Sequence, residues 1–238
     1  MSVEFETAYR LMLSELLPSL IHEFNNPLTA IGAVPGLLRS TKQDLESGDW
    51  ELVESLQASV DSIHQLLGAT RRILQADLTS NYAQIQPLLE SLVFIMGPGF
   101  RRSRIAPEIR MEQPMPSANL ASRYVAFLLF SALEVYQRLG RMADIKVYSP
   151  CELHILAESQ AEKAGVKFQA SRELSDGLPE AILQKLDGAP LVIDAELWQE
   201  QPIFARIMAM ERELEARFGV RTEWRIHADG VWLLMQFP

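Results

Sequence analysis

The chain has 238 residues, of which 48% are hydrophobic and 22% charged, and its formal net charge is −9. This composition suits a globular protein with an ample core, and the acidic excess argues against a nucleic-acid partner. The single cysteine, Cys151, excludes a disulfide framework and a cysteine-ligated metal site. No apolar run is long enough to span a membrane and the N-terminus shows no signal-peptide pattern, so we expect a cytoplasmic protein without a membrane partner.

Two long amphipathic helices are predicted at the N-terminus. The first covers about residues 5–43, where apolar residues recur every three, four or seven positions, and a local break is expected at residues 32–36 because they include two glycines and a proline. A turn at residues 47–48 leads into a second helix over about residues 50–78. The apolar stripe of this second helix has heptad spacing and consists of Val53, Leu56, Val60, Ile63, Leu67 and Leu74.

A short turn between two long helices makes an antiparallel hairpin, which we predict as a first domain over residues 1–80. One hairpin cannot bury both of its apolar stripes well. Pairing two copies into a four-helix bundle covers them, so we expect a homodimer. The alternative is that the hairpin packs on the C-terminal domain of its own chain.

A second domain is predicted for residues 81–238, after a linker at residues 79–81. Its pattern of helices and strands indicates helices on one face of a mixed or antiparallel sheet, so the fold class is α+β. In chain order we predict a helix over 87–96, a strand around Ile109 and Met111, a helix over 120–139 capped by Ser117, strands over 145–148 and 153–156, a weaker helix after Pro179, a helix over 202–218, and a hairpin of strands 220–226 and 231–237.

The first helix carries a histidine that we expect to face water. His22 lies two residues from Leu20 and from Phe24, roughly 200° around the helix from each of these apolar residues. Glu23 is its neighbour, and Pro27 removes the backbone hydrogen bond that the Glu23 carbonyl would otherwise accept. An exposed imidazole beside a carboxylate, followed by a helix-distorting proline, indicates a reactive histidine more strongly than a surface histidine alone would.

Residues 22–31, HEFNNPLTAI, resemble the H-box of bacterial two-component histidine kinases, which has the pattern H-E-x-x-N-P-L. The resemblance implies that His22 carries a phosphoryl group on a ring nitrogen. It also implies that the helical hairpin dimerises into a four-helix bundle.

The order of elements in residues 81–238 resembles the ATP-binding domain of the same family, in a degenerate form. Phe127 and Ser131 stand where the family has the two asparagines of its N-box, and a phenylalanine cannot ligate magnesium. Residues 158–162, ESQAE, stand where the family has D-x-G-x-G, and no glycine-rich lid precedes the helix at 202. We therefore expect that this chain binds no ATP and has no cofactor of its own.

Four further residues belong to the predicted site on the face of His22. Asn26 lies one turn beyond His22, and in the family an asparagine or threonine here positions the water that hydrolyses a regulator's phospho-aspartate. Thr29, Ala33 and Gly36 continue this face with small side chains. They form either a shallow docking surface for a partner helix or a close contact with a neighbouring element.

Two arginines are candidates for stabilising the phosphohistidine. If the hairpin turn is centred near residue 46 or 47, His22 is level with Arg71 and Arg72, and arginine pairs well with phosphate. Two solvated arginines are the alternative. The arginines of residues 101–104 are expected in a solvated loop, with docking of an acidic regulator surface as the alternative. We expect structural roles and no metal for the remaining histidines, which are His64, His154 and His227.

These observations predict histidine phosphotransfer in a two-component relay. His22 receives a phosphoryl group from one receiver-domain aspartate and passes it to another, and Glu23 orients the ring or accepts its second proton. The magnesium ion resides in the receiver, so no nucleotide is needed. The expected partners are the receiver domain of a response regulator and a second copy of the chain. The alternatives are a divergent active histidine kinase and a non-catalytic dimeric scaffold or phosphatase for a regulator.

Overall fold

The N-terminal part of the computed structural model is a helical hairpin. The structure describes residues 3–40, 48–76, 82–111, 117–146, 150–160, 163–189, 212–214 and 216–238. Helix α1 (Val3–Ser40) and helix α2 (Gly48–Leu74) run antiparallel, since the Tyr9 hydroxyl near the start of α1 donates a 2.6 Å hydrogen bond to the Ile73 carbonyl near the end of α2.

The predicted break in the first helix is wrong. Helix α1 is continuous through Gly32 and Pro35, because a proline removes one backbone hydrogen bond while the turns on either side still hold the helix. The predicted linker at residues 79–81 and the boundary of the two domains lie outside the described residues.

The C-terminal part is an α+β domain, which confirms the predicted fold class. Its main sheet has the strand order β2-β4-β5-β7-β6, in which β2 and β4 are parallel and the other pairs antiparallel; β1 and β3 form a separate pair. The elements are β1 (Ala83–Gln84), α3 (Ile85–Ile95), α4 (Gly97–Arg102), β2 (Ile105–Met111), β3 (Ser117–Ala118), α5 (Ser122–Met142), β4 (Cys151–Gln160), β5 (Lys163–Ser171), α6 (Arg172–Gly177), α7 (Glu180–Leu186), β6 (Arg221–His227) and β7 (Gly230–Gln236).

Several predicted elements of this domain are corrected. Ser117 lies in strand β3 and does not cap α5, and Ile145 and Lys146 lie outside any strand. Helix α3 ends at Ile95, within one residue of the predicted end, and a further short helix, α4, begins at Gly97, where Pro98 suits the first turn. Strand β5 was missed although its buried residues alternate. Of the helix predicted over 202–218, the structure describes only residues 212–214 and 216–218, and these are helical. The C-terminal hairpin of β6 and β7 is confirmed.

Helix α5 is the centre of the core. Every residue from 125 to 137 is buried, so this helix is enclosed by the sheet on one side and by other helices on the other. The Tyr136 hydroxyl lies 3.0 Å from the Phe168 carbonyl and 3.2 Å from the Val231 carbonyl, so it satisfies its donor beneath strands β5 and β7.

An aromatic cluster joins the first turns of α1 to the start of α5. The Phe5 ring centroid lies 4.6 Å from that of Tyr124 and 5.7 Å from that of Phe127, and the Arg123 guanidinium lies 5.0 Å from the centre of the Tyr9 ring. We call these five residues the anchor cluster. It shows that the hairpin packs on the C-terminal domain of its own chain.

Arg123 also connects three helices through polar contacts. Its Nη1 atom lies 3.2 Å from the Glu6 carboxylate of α1, and its Nε atom donates to the Ala76 carbonyl just beyond α2 at 3.1 Å. Burial raises the pKa of Tyr9 to about 12, so its hydroxyl stays protonated and keeps donating to α2. The two ends of the hairpin are therefore fixed to α5 together.

The predicted apolar stripe of α2 is only partly buried. The buried residues of α2 include Leu66, Ala69 and Ile73, whereas Leu56 and Ile63 of the stripe are half-buried and its other members are exposed. An open apolar surface is therefore left on the hairpin. Its members are 38–53% exposed and are Leu17, Ile21, Leu28, Val53, Val60, Leu67 and Leu74.

Removing the centre of the anchor cluster should weaken the whole fold. We expect Phe5→Ala to lower the free energy of unfolding by about 3–5 kcal/mol, because it leaves a cavity between α1 and α5. Met142→Ala, at a partly exposed position at the end of α5, should cost about 1 kcal/mol or less. Chemical denaturation followed by circular dichroism measures both; equal losses in the two variants would contradict this account of the interface.

Candidate functional site

His22 lies in the middle of α1 on an exposed face of the helix. Its side chain is 57% exposed. The Nδ1 atom lies 3.7 Å from Glu23 Oε1 and 3.4 Å from Asn26 Nδ2, so this nitrogen is directed towards its own helix. Among the described residues, none makes a hydrogen bond or ion pair with Nε2. The ring therefore presents Nε2 to an incoming partner.

Glu23 points towards the C-terminal domain, a quarter turn or more from His22 around the helix. Its side chain is only 17% exposed, and its Oε1 atom accepts a 2.6 Å hydrogen bond from Arg101 Nη2. A charge-assisted bond of this length holds the carboxylate beside the imidazole. The structure thus brings together His22, its predicted partner Glu23, and an arginine that the sequence analysis assigned to a solvated loop.

Arg101 is brought to this place by helix α4. Phe100 of α4 is buried, and the buried Gln137 amide of α5 donates to the Met96 carbonyl at the start of α4. A Cβ atom on Gly99 would collide with the Gln137 side chain, so the glycine allows α4 to approach α5 closely. These contacts place α4 against α1, although nothing in the spacing of residues 23 and 101 predicts it.

The predicted docking face is exposed as far as the structure describes it. Asn26, Thr29 and Ala33 are all exposed, and the Thr29 hydroxyl donates to the Asn25 carbonyl one turn back, so it is turned onto its own helix. Pro27 is buried on the opposite side. The surroundings of Gly36 lie outside the described residues.

The register that was predicted for Arg71 and Arg72 is wrong. The contact between Tyr9 and Ile73 places the level of His22 near residue 60 of α2, so both arginines lie about 11 residues, or roughly 16 Å, farther along. The prediction assumed a symmetric turn at residue 46 or 47. In the structure Arg71 donates to Gln75 and Arg72 donates to Ser91 of α3, each at 2.8 Å.

The positions that correspond to the N-box asparagines are inside the core. Phe127 and Ser131 are fully buried, and the Ser131 hydroxyl donates to the Phe127 carbonyl of its own helix. The Phe5 ring lies against Phe127. These two side chains therefore offer no ligand to a nucleotide or a metal ion.

The segment that stands in the place of D-x-G-x-G continues strand β4. Glu158, Ser159 and Gln160 are paired with residues 165, 164 and 163 of β5. A paired strand does not offer the free backbone amides of a phosphate-binding loop. The segment before the helix predicted at 202 lies outside the described residues.

In the described part of the chain, no group of three or more histidine, cysteine, aspartate or glutamate side chains could hold a metal ion, and this applies to the other histidines. His64 is exposed on α2. His154 lies between the Glu108 and Glu152 carboxylates, and His227 packs against the Trp232 ring. In the same described ranges, no helix combines the length and apolarity that crossing a membrane requires.

Comparison with solved structures finds histidine kinases and a bacterial phosphotransferase. A bacterial phosphotransferase aligns with 99% of this chain and 97% of its own length, with a TM-score of 0.48 and 15% identity. The histidine kinase AdeS of Acinetobacter baumannii aligns with 91% of this chain and 96% of its own, with a TM-score of 0.42 and 13% identity. The histidine kinase ThkA, in complex with the response regulator protein TrrA, aligns with 95% of this chain and 62% of its own, with a TM-score of 0.40 and 15% identity.

The chain is similar in fold to histidine kinases. No protein-family model and no curated protein matches the sequence. At identities of 13–15% the likeness concerns the fold alone, so the functional argument rests on the residues described above.

Returning the family's residue to the N-box position should not create a nucleotide site. We expect Phe127→Asn to lower the free energy of unfolding by about 3–5 kcal/mol, because it buries an unpaired amide and empties the space beneath Phe5. Calorimetry with magnesium-ATP should show no binding to the variant or to the unaltered protein. A micromolar dissociation constant for the unaltered protein would contradict the interpretation of this domain.

Proposed function

We propose that this chain is a histidine phosphotransferase in a two-component relay and that His22 carries the phosphoryl group. The observation that supports it is the exposed imidazole of His22, whose Nδ1 faces Glu23 and Asn26 while Nε2 is open to a partner. The partner is the receiver domain of a response regulator, which presents an aspartyl phosphate and its own magnesium ion.

The chemistry needs a neutral imidazole with its proton on Nδ1. Glu23 favours this tautomer because its carboxylate oxygen lies 3.7 Å from Nδ1 and can accept the proton. The Asn26 amide then turns its oxygen to Nδ1, because its Nδ2 atom, 3.4 Å from Nδ1 in the structure, can only donate. The lone pair of Nε2 attacks phosphorus, so the N–P bond forms as the bond between phosphorus and the aspartyl oxygen breaks. Transfer in the opposite direction reverses these steps. Positioning and charge stabilisation supply most of the catalysis in phosphoryl transfer, so the hairpin needs only to hold the ring in place.

The fixed C-terminal domain favours a relay over a kinase. A kinase brings its own nucleotide to the histidine, and this chain has Phe127 and Ser131 buried where the family binds nucleotide. The anchor cluster also holds that domain against the start of α1, at Phe5 and Tyr9, about 13 or more residues before His22. We therefore propose that the domain serves to position α4 and the hairpin and that phosphate reaches His22 from outside.

The second partner that we propose is another copy of the chain. The open apolar surface on α1 and α2 follows both helices, as the interface of a four-helix bundle requires. On α1 its residues Leu17, Ile21 and Leu28 lie about 100–140° around the helix from His22. Pairing through this surface buries it and leaves both copies of His22 accessible.

Phosphate from a receiver should appear on His22. We expect incubation with the phosphorylated receiver domains of the host to label the protein, with an acid-labile phosphoryl group, and His22→Gln to abolish the label. His64→Gln is the matched control because His64 is the exposed histidine of α2, and it should label normally. Label that persists in His22→Gln would end the relay proposal, and absence of label with every receiver would favour a scaffold.

Two neighbours of His22 should have different effects in the same assay. Glu23→Ala should slow the transfer by about 10²–10⁴-fold, the range of a positioned acid-base group. Asn26→Ala should leave labelling intact and reduce the loss of phosphate to water. Rates from rapid quenching separate the two effects, and an unchanged rate in Glu23→Ala would remove Glu23 from the mechanism.

A charge in the open apolar surface should separate the copies. We expect Leu67→Glu to convert a dimer into a monomer, because it places an unpaired carboxylate in the bundle interface. Gln65→Glu adds the same charge on another face of α2 and should leave the dimer intact. Light scattering at micromolar concentration gives the mass of each. A monomeric unaltered protein would contradict the proposed dimer without affecting the role of His22.

A further inference from the structure

Arg101 and His22 approach the same carboxylate oxygen. Glu23 Oε1 lies 2.6 Å from Arg101 Nη2 and 3.7 Å from His22 Nδ1, so the two nitrogen atoms are at most about 6.3 Å apart. The Arg101 side chain is 64% exposed, so its guanidinium is not enclosed by packing and can change partner. A phosphoryl group on His22 would bring about two negative charges to within reach of this guanidinium.

The neighbouring arginines donate hydrogen bonds to other partners. Arg72 donates to Ser91, and Arg102 donates to the Pro98 carbonyl of its own helix. Arg104 donates to the Ile145 carbonyl. Of the arginines in the described ranges, Arg101 is the one that pairs with a residue in contact with His22.

We propose that Arg101 exchanges Glu23 for the phosphoryl group on His22 and that this exchange stabilises the phosphohistidine. The proposal rests on the function proposed for His22. When the N–P bond forms and the aspartyl O–P bond breaks, the proton stays on Nδ1 and the new charge develops on the phosphoryl oxygens. Arg101 turns to these oxygens, where a planar guanidinium can donate two parallel hydrogen bonds. Glu23 loses its arginine partner and accepts the Nδ1 proton more strongly, so one movement stabilises both ends of the phosphorylated ring.

Arg101 also offsets a repulsion between Glu23 and the phosphoryl group. Without Arg101, the Glu23 carboxylate beside Nδ1 and the phosphoryl group on Nε2 would be like charges on one imidazole ring, which disfavours the dianionic phosphoryl group. Helix α4 keeps the Cα atom of Arg101 in place through buried Phe100 and the Gln137 contact, so only the exposed end of the side chain has to move. Arg101 therefore acts at the phosphate and not only as a holder of Glu23.

Titration of the phosphoryl group tests the proposal without any receiver domain. The full-length protein is phosphorylated with potassium phosphoramidate, which transfers phosphate to accessible imidazoles, and the His22 signal in the phosphorus NMR spectrum is identified by its loss in His22→Gln. We expect Arg101→Ala to raise the second pKa of this phosphoryl group by about 1 unit or more, since an opposite charge within a few ångströms is removed. Arg101→Lys should restore part of the shift. Arg102→Ala, the adjacent arginine on the same helix, should titrate like the unaltered protein.

Glu23→Ala separates this role from simple positioning. If Arg101 binds the phosphoryl group, Glu23→Ala lowers the second pKa or leaves it unchanged, because the arginine remains and a negative charge is removed. An unchanged pKa in Arg101→Ala would overturn the proposal, and so would equal changes in Arg101→Ala and Glu23→Ala. Absence of a His22 signal would also overturn it, because an imidazole with an open Nε2 has to react. These outcomes do not depend on receivers, so failure of the relay shows separately, as absence of transfer from receiver domains.

Discussion

The contact between Phe5 of α1 and Phe127 of α5 is the interaction on which the rest of the arrangement depends. It joins the start of the hairpin to the central helix of the C-terminal domain, and Arg123 extends the junction to the carboxylate of Glu6 and to the end of α2. Buried aromatic contacts of this kind contribute several kcal/mol, so separating the two parts would cost much of the stability of a domain this size. The domain that follows the hairpin is therefore held in a fixed position beside it.

The fixed position of the C-terminal domain explains why the site contains an arginine from a distant part of the chain. Helix α4 packs on α5 through Gly99 and Gln137, and α5 is joined to α1 at the anchor cluster. With both ends of this connection held by buried groups, Arg101 meets Glu23 at a definite place on α1. A domain that moved freely relative to the hairpin could not keep this ion pair.

Helix α1 presents different residues on three sides, and each side has its own use. One side is buried against the rest of the chain through residues such as Met12 and Leu16, and a second carries the open apolar residues. The third carries His22 and Asn26 in contact with water. Glu23 lies at the border between the buried side and the histidine, and this position lets one carboxylate contact both the imidazole and a residue of the C-terminal domain.

The sequence by itself determined the helical hairpin, the α+β class and the exposure of His22, because these follow from local periodicity within one or two turns of helix. Local pattern also indicated the β6–β7 hairpin, whose turn residues lie next to each other. It could not determine which residues of α1 lie beside which residues of α2. The turn residues do not fix where each helix ends or how far one helix is shifted along the other. Only the tertiary structure decided that Arg101, and neither Arg71 nor Arg72, meets the His22 site. The reason is that residues 23 and 101 are joined through the packing of α4 on α5 and α5 on α1, and pairings of this kind depend on side chains from three separate helices.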